Sequence, residues 1–202
     1  SGELGEIYYI NGTRVNLGLF QPDTNVVWDL APHDISILNY LLGSQPVAAS
    51  ARGEVYIRAE TLLYEVAYVT LHYPNRVLAD LRVSWLDPVK IRRITIVGSQ
   101  KMLVYDDIAD NKVILYDKGA EVPPYSDTPE EFSMSYRHGA ETPVAIDWME
   151  PLRQECQHFV DCIRTGAMPR SSGLVGLKVV RVLEAAQKSL LNGGIRVPIA
   201  AD

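Results

Sequence analysis

A carboxylate and an imidazole stand four residues apart in the stretch WDLAPHDISILNYLLG, which covers residues 28–43. Each residue of an α-helix advances by about 100°, so Asp29 and His33 would lie on one helix face within reach of each other. Such a pair can accept and return a proton, with the carboxylate orienting the ring. Asp34 adds a second carboxylate beside the imidazole. The spacing predicts a proton-transfer site, but a capping role for Asp29 and a solvated His33 would give the same pattern.

The element that carries this pair is predicted to be a short helix that begins close to Asp29. Pro32 fits only the first helical turn, because its missing N–H has no intrahelical partner there. At such a helix mouth the dipole disfavours an imidazolium while Asp29 favours it, so the two effects on the pKa of His33 oppose each other. Gly43 is expected to end the helix. Its predicted buried residues are Ile37, Leu38, Leu41 and Leu42.

The segment before this helix, residues 6–18, is rich in Ile, Tyr and Val and is predicted to be extended. Asn11-Gly12 is typical of a hairpin turn, and a bulge within one long strand is the alternative. Alternation then places Arg14 and Asn16 together on one side of the strand. These two polar side chains line a face that leads toward the helix.

Residues 46–117 are predicted to be almost entirely strands. The clearest is 76–85, which the short turn Pro74-Asn75 joins to residues 64–73 as an antiparallel pair. The series continues in residues 91–97, 101–105 and 112–116, separated by turn-forming dipeptides. This part of the chain therefore predicts a large, mostly antiparallel sheet.

Residues 118–150 hold four of the twelve prolines and are predicted to be a long excursion with one short strand near 143–146. Two amphipathic helices follow, one from Pro151 to the closing Gly166 and one over residues 173–191. The layout is α+β, an open sheet with helices on one face, so the other face needs a partner. The buried stripe predicted for the first of these helices is Leu152, Cys156, Phe159 and Ile163.

Composition narrows the function classes. The chain has 202 residues, 47% of them apolar, and a net charge of -6 with dispersed basic residues, which indicates one globular domain and argues against nucleic acid as a partner. No apolar run approaches the roughly 20 residues of a membrane span, and no secretory signal opens the chain, so we expect a cytoplasmic protein. Cys156 and Cys162 are expected to be free core thiols. The histidines show no metal-ligand spacing, and no metal is assigned.

A resemblance to a known family rests on three features taken together. These are the helix with its DxxxH motif, the segment SWLDPVKIRRITIVGS, and the ending PLRQECQHFVDCIRTGAMPRSSGLVGLKVVRVLEAAQKSLLNGG. Over essentially its whole length, residues 1–202, the chain resembles the C-terminal domain of the Gfo/Idh/MocA oxidoreductases. These are NAD(P)-dependent dehydrogenases of sugars, inositols and nucleotide sugars. The resemblance implies an open-faced sheet domain of the dihydrodipicolinate-reductase-like type.

In that family the aspartate and histidine of the motif lie against the substrate carbinol, which implies catalytic roles for Asp29 and His33. A sugar or nucleotide-sugar substrate would then be bound by nearby polar side chains. A further acidic residue usual in the family would fall on Ser36, and this chain instead has an aspartate beside the histidine. The candidate substrate-binding residues are Arg14, Asn16, Asn25 and Asp34.

Family members carry their NAD or NADP on an N-terminal Rossmann domain of the same polypeptide. The glycines of residues 1–202 form no GxGxxG loop between a strand and a helix, and no Glu-Lys-Pro motif is present. We therefore expect that the Rossmann domain is absent from this chain, that the cofactor-binding residues lie outside it, and that the isolated chain neither holds the cofactor tightly nor turns over substrate. The open sheet face is expected to form a homo-oligomer. The alternative is a non-catalytic module for sheet-mediated oligomerisation or ligand binding.

Overall fold

A computed structural model of the chain describes residues 2–121 and 135–200. The described residues form one sheet of nine strands and three α-helices. In chain order the elements are β1 (Ile7–Leu17), α1 (Val26–Leu42), β2 (Ala48–Glu54), β3 (Val66–His72), β4 (Leu78–Ser84), β5 (Leu86–Gly98), β6 (Met102–Asp106), β7 (Val113–Glu121), β8 (Ser135–Pro143), α2 (Pro151–Thr165), α3 (Gly173–Leu191) and β9 (Val197–Pro198).

The strands follow the order β8-β7-β6-β5-β1-β4-β3-β2-β9 across the sheet. β1 and β4 run parallel near its centre, while the other neighbouring pairs of described strands are antiparallel. Parallel neighbours cannot be joined by a hairpin, so the chain returns from β1 to β4 through α1, β2 and β3. The predicted α+β architecture with an open, mostly antiparallel sheet is confirmed.

β1 is one continuous strand, which decides between the two readings of Asn11-Gly12. Gly12 pairs with Leu81 of β4, and a Cβ atom at this position would lie 2.6 Å from Leu81 Cδ2. The glycine therefore leaves room for the Leu81 side chain and makes no turn. A shift of register occurs nearer the end of β1, between Val15 and Leu17.

The predicted antiparallel pair of β3 and β4 is confirmed, with Val69 opposite Leu81. The connection is a single 3-10 turn at Pro74–Arg76, in which Asn75 has a φ of 58°. Asparagine tolerates this left-handed conformation better than most residues, which explains why Pro-Asn makes a tight reversal here.

Helices α1 and α3 pack on one face of β1, β4, β3 and β2, which we call the covered half of the sheet. The outer half, β5 to β8, extends beyond these helices. An apolar groove of about 650 Å³ lies between α1 and the outer half, with Leu41, Ile94 and Leu103 among its lining residues. On the face opposite the helices, Tyr9, Tyr68 and Leu78 are exposed. The completely buried large side chains of the covered half include Leu71, Leu81, Val83, Ile35 and Leu38.

The prediction for residues 118–150 was wrong in part. β7 continues to Glu121, and β8 pairs antiparallel with it, so a nine-residue strand ends where the short strand near 143–146 was expected. β8 reads SYRHGAETP and is mostly exposed, so it lacks the apolar alternation by which a strand is recognised in sequence. Residues 122–134 lie outside the described residues.

α2 has its predicted boundaries, and Gly166 closes it in the left-handed conformation with a φ of 70°. Its apolar stripe is nevertheless exposed, with Leu152 at 63%, Phe159 at 63% and Ile163 at 69%. The helix packs extensively against none of the other described elements. Local periodicity thus predicted the amphipathic helix correctly but not the burial of its stripe, which needs a partner from elsewhere.

Burial corrects two further predictions. Leu41 on α1 is 53% exposed, because it borders the groove instead of facing the sheet. Both cysteines are free, but only Cys162 is buried, while Cys156 lies on the exposed side of α2. The prediction of a core thiol therefore holds for one cysteine of the two.

Candidate functional site

Asn25 caps the helix that carries the predicted acid–base pair. Its Oδ1 accepts hydrogen bonds from the backbone N–H of Val27 at 3.0 Å and of Trp28 at 3.4 Å, and its Nδ2 donates to Gln187 Oε1 at 2.7 Å. Asn25 is 4% exposed, so this polar side chain is buried with its hydrogen bonds made. Capping is thus done by Asn25, and the alternative in which Asp29 caps the helix is wrong.

Helix α1 begins at Val26, earlier than the proline pattern indicated. Pro32 lies in the second turn, where it removes the donor that the Trp28 carbonyl would otherwise receive. His33 is farther still from the helix start, and the influence of the helix dipole is confined to about the first turn. The pKa of His33 is therefore set by neighbouring side chains and burial, and the helix-mouth argument does not apply.

Asp29 is held by a hydrogen bond from Trp85, the residue that follows β4. The indole Nε1–H of Trp85 donates to Asp29 Oδ2 at 2.8 Å. Trp85 follows β4 and is completely buried, so its N–H has Asp29 as the acceptor that a buried indole requires. One carboxylate oxygen is thereby fixed in direction. This contact joins residues 56 positions apart, and local sequence spacing contains no sign of it.

Asp34 and Arg14 form a bidentate ion pair between α1 and β1. Arg14 Nε donates to Asp34 Oδ2 at 2.8 Å, and Arg14 Nη2 donates to Asp34 Oδ1 at 3.0 Å. The side chains are only 12% and 4% exposed. Such planar, two-bond pairing is a geometry that arginine favours over lysine. Two residues expected to bind substrate are therefore bonded to each other in this chain, and they tie α1 to the sheet.

His33 comes directly before Asp34 on α1 and is exposed to solvent. Among the hydrogen bonds of the described residues, none joins its ring to Asp29. Partial burial is the main effect that lowers the pKa of His33 below the ordinary 6.5, and the charges of Arg14 and Arg92 lower it further, against the opposing influence of Asp34 and Asp29. A neutral ring at neutral pH can accept a proton, which is the state that a general base needs.

A second polar group reaches the same place from the outer half. Arg92 is the partner of Arg14 in the β1–β5 register, and its Nη1 contacts Asp107 Oδ2 at 3.4 Å. The hydroxyl of Tyr105 donates to Asp107 Oδ1 at 2.9 Å. Burial, together with this carboxylate, raises the pKa of Tyr105 to about 12. The tyrosine thus remains a hydrogen-bond donor at any physiological pH.

The basic run Lys90, Arg92 and Arg93 is divided by the pleat of β5. Arg93 lies on the opposite face and pairs with Asp106, while Arg92 lies on the helix side with Asp107. Asp87, which lies close to this run in sequence, pairs with Arg82 instead. Strand alternation could have separated Arg92 from Arg93 in the sequence, and it is the signal that identifies Arg92 as a member of the site.

The remaining candidate, Asn16, is half-buried near the shift of register at the end of β1. Its side chain makes no hydrogen bond to another described residue.

None of the helices within residues 2–121 and 135–200 combines the length and apolar character that crossing a bilayer requires. The same residues bring no three His, Cys, Asp or Glu side chains together in the way that a metal site would.

Comparisons with known proteins identify a matching family and several similar folds. The model of the GFO/IDH/MocA C-terminal domain matches residues 1–104. The fold resembles UDP-N-acetylglucosamine 3-dehydrogenase GnnA from Acidithiobacillus ferrooxidans, with a TM-score of 0.72 and 22% identity, covering 92% of this chain and 55% of that one. It also resembles the WlbA dehydrogenase from Bordetella pertussis, solved in complex with NADH and UDP-GlcNAcA, with a TM-score of 0.69 and 17% identity, covering 100% of this chain and 57% of the other.

A putative oxidoreductase from Magnetospirillum magnetotacticum is 29% identical, with a TM-score of 0.67 over 91% of this chain and 56% of that one. No curated protein sequence matches the chain. The chain thus spans little more than half the length of these solved structures. At identities below 25% the first two likenesses are to the fold alone.

Proposed function

The chain belongs to the GFO/IDH/MocA C-terminal domain family, and on that premise we propose that it is the substrate-binding and catalytic half of a cytoplasmic oxidoreductase. The reaction proposed is hydride transfer between a secondary alcohol of a sugar, polyol or nucleotide sugar and the nicotinamide of NAD or NADP. The observation that carries the proposal is His33, an accessible imidazole whose pKa is lowered, beside a carboxylate fixed by a buried tryptophan.

Cofactor binding is assigned to an N-terminal Rossmann domain of the same polypeptide. The positive-φ glycines among the described residues are Gly2 and Gly5 before β1, Gly43 and Gly166, which end helices, and Gly193 and Gly194 after α3. None of these stands between a strand and the N-terminus of a helix, where a phosphate would be bound. The described residues therefore do not fit a dinucleotide, and we infer that this chain alone does not hold one tightly.

His33 is proposed to take the hydroxyl proton as the alcohol carbon loses its hydride, and to return it in the reverse direction. The C–H electron pair leaves with the hydride, and the O–H electron pair becomes the second bond of the carbonyl. Asp29, with one oxygen fixed by Trp85, stabilises the positive charge that develops on the ring. Because the ring is neutral before reaction, the proton has a place to go at neutral pH.

Substrate hydroxyls or an anionic group are proposed to meet Arg14 and Asn16. Arg14 uses Nε and Nη2 for Asp34, and its Nη1 makes no hydrogen bond within the described residues. Asn25 and Asp34, the other two candidates, support the site from behind, since their side chains are buried and bonded to the protein. Their contribution is then to hold the catalytic helix in place.

The test uses the complete enzyme, in which a nucleotide-binding domain precedes residues 1–202. Reduced nicotinamide is followed by absorbance over a panel of polyols, aldoses and UDP-sugars with NAD or NADP. His33→Asn should lower kcat by about a hundredfold to ten-thousandfold. The matched control is His138→Asn, which removes an exposed histidine on β8 and should leave kcat unchanged. Equal activity of the two variants, or an upstream sequence without such a domain, would reject the proposal.

We also propose a homo-oligomer formed through the open sheet face. Tyr9 and Leu78 are direct neighbours in the β1–β4 register, and they are 51% and 42% exposed. Exposed apolar side chains in adjacent strands favour burial against a second copy. Leu78→Lys should shift the sedimentation of the protein toward monomer, while Leu174→Lys, at an exposed position of α3, should not. A wild-type protein that sediments only as monomer at high concentration would contradict this.

A further inference from the structure

A completely buried carboxylate is linked to Asp29 through Arg58 and Trp85. Glu65, just before β3, is 0% exposed. Its Oε2 accepts from the backbone N–H of Tyr56 and of Ile57, both at 2.8 Å, and its Oε1 accepts from the N–H of Arg58 at 3.0 Å. Burial raises the pKa of Glu65, but these three bonds together with the Arg58 side chain hold it below the ordinary 4.5. The carboxylate is therefore ionised, and it fixes the loop between β2 and β3.

Arg58 is the side chain that this loop presents. Its Nε donates to Glu65 Oε1 at 3.3 Å, its Nη1 to the carbonyl of Gln21 at 2.6 Å, and its Nη2 to the carbonyl of Leu63 at 3.4 Å. All three guanidinium nitrogens are thus directed along the plane of the group. The guanidinium faces are left for contacts with aromatic rings, and the arginine joins the loop after β2 to the loop after β1.

Two aromatic rings pack against the guanidinium group of Arg58. The guanidinium carbon of Arg58 is 5.0 Å from the centre of the Phe20 ring and 5.5 Å from that of Trp85. The two rings are themselves 5.5 Å apart and tilted by 53°. Distances below about 6 Å are typical of cation–π contacts, which strengthen when water is excluded. Arg58 therefore packs against the same indole whose N–H donates to Asp29.

Backbone contacts also hold Trp85 in place. Trp85 N–H donates to the carbonyl of Glu65 at 3.0 Å, and Gly18 N–H donates to the carbonyl of Trp85 at 3.0 Å. A Cβ atom on Gly18 would lie 2.3 Å from Trp85 Cδ1, so only glycine allows this approach. The single polar atom of the indole, Nε1, is left with Asp29 as its acceptor at 2.8 Å.

We propose that Glu65 and Arg58 are positioning residues for the catalytic carboxylate, acting through Trp85. This rests on the proposed function of Asp29. A buried ion pair is costly to build, and neutral groups could close the same loop. The packing of the Arg58–Glu65 pair against the Trp85 indole therefore indicates a role beyond loop closure. With the indole packed against Arg58, Phe20 and Gly18, Asp29 keeps one orientation beside His33 while substrate binds and leaves.

The first test uses the 202-residue chain and needs no activity. The indole N–H signals of the three tryptophans are recorded by NMR, and Asp29→Ala identifies the signal of Trp85 and its position without the bond. Arg58→Met, which keeps the apolar stem, should move the Trp85 signal toward that position. Arg164→Met, at an exposed site in the last turn of α2, should leave it unchanged. A folded Arg58→Met chain with an unmoved Trp85 signal would overturn the proposal.

The second test uses the complete enzyme. Arg58→Met should lower kcat by about tenfold to a hundredfold, with KM within about twofold, because orientation is lost and binding is not. Arg58→Lys, which keeps a cation over the rings, should recover part of kcat. If Arg58→Met fails to fold, Phe20→Leu replaces it, with a smaller shift of the indole signal expected and an unmoved signal again overturning the proposal. An inactive wild-type enzyme would reject the proposed function, while the indole shifts would still decide whether Arg58 orients Trp85.

Discussion

The covered half and the outer half of the sheet are stabilised in different ways, although they share continuous strand pairing through β1 and β5. In the covered half Leu81, Val83 and Ile35 are essentially inaccessible, and the ion pair of Asp34 with Arg14 is buried between helix and strand. In the outer half, every residue of β6 is only partly buried, and the ion pairs are more exposed than that of Asp34 with Arg14. Stability is thus concentrated beneath the two helices.

The site lies on the boundary between these halves. Arg14 comes from the covered half and Arg92 from the outer half, and both guanidinium groups lower the pKa of His33. Helix α1 is tied to the covered half by the ion pair of Asp34 with Arg14 and by the hydrogen bond of Asp29 with Trp85. The comparison teaches that α1 is held from the covered half, while an apolar groove separates it from the outer half.

The largest expected effect separates the two kinds of ion pair. Asp34→Ala leaves the Arg14 charge buried without a partner and should lower the free energy of unfolding by about 3 to 5 kcal/mol. Glu141→Ala removes an exposed partner of Lys118 and should cost about 0 to 1 kcal/mol. Urea denaturation of the two variants measures both values. Similar losses in the two variants would remove the distinction between the halves.

Packing gives the next largest effect. Leu81→Ala creates a cavity in the covered half, where the side chain is 1% exposed, and should cost about 3 kcal/mol. Leu103→Ala makes the same change on β6, where the side chain is half-buried, and should cost about 1 kcal/mol because less apolar area returns to water. Thermal unfolding of both variants checks the ratio. An outer half as sensitive as the covered half would show that another element protects it.

Acid should destabilise the covered half through Glu65. Its pKa is lower in the folded chain than the ordinary 4.5, so the unfolded chain binds more protons as the pH falls through that value. The stabilising contribution is therefore complete well above pH 4.5 and is lost toward lower pH. Glu65→Gln should flatten this dependence, measured as the free energy of unfolding between about pH 6 and pH 3. An unchanged slope would show that other carboxyls dominate.

The smallest effect compares the two arginines directly. NMR titration of the histidine rings should give His33 a pKa below 6.5. Arg14→Met should raise that pKa more than Arg92→Met does, because Arg14 exerts the stronger influence of the two. Arg93→Met, on the opposite face of β5, serves as the control and should leave the value unchanged. A larger rise for Arg92→Met would place His33 closer to the outer half than described.

Much of the local structure was predictable because its causes are local. The stop of α1 at Gly43, the tight reversal at Pro74-Asn75 and the boundaries of α2 all follow from the conformational preferences of single residues. The start of α1 was missed, since the proline pattern pointed to Asp29 while the asparagine cap lies four residues earlier at Asn25. β8 was missed because its exposed polar sequence pairs with β7 through backbone groups, which leave no mark on residue type.

The candidate site divides in the same way. Four-residue spacing placed Asp29 and His33 on one helix turn, and that much follows from helix geometry alone. Their partners were beyond the reach of spacing: Trp85 is 56 positions away from Asp29, and Arg14 is 20 positions away from Asp34.

The sequence by itself thus determined most of the helices and strands of the described residues, the resemblance to a family and the four-residue spacing of Asp29 and His33, because these depend on residues close together in the chain. Only the tertiary structure decided which side chains hold that pair, which arginine of the basic run faces it, and which helix stripe remains uncovered. These outcomes depend on strand register and on the way α1 crosses the sheet, and both are set by packing between segments far apart in sequence.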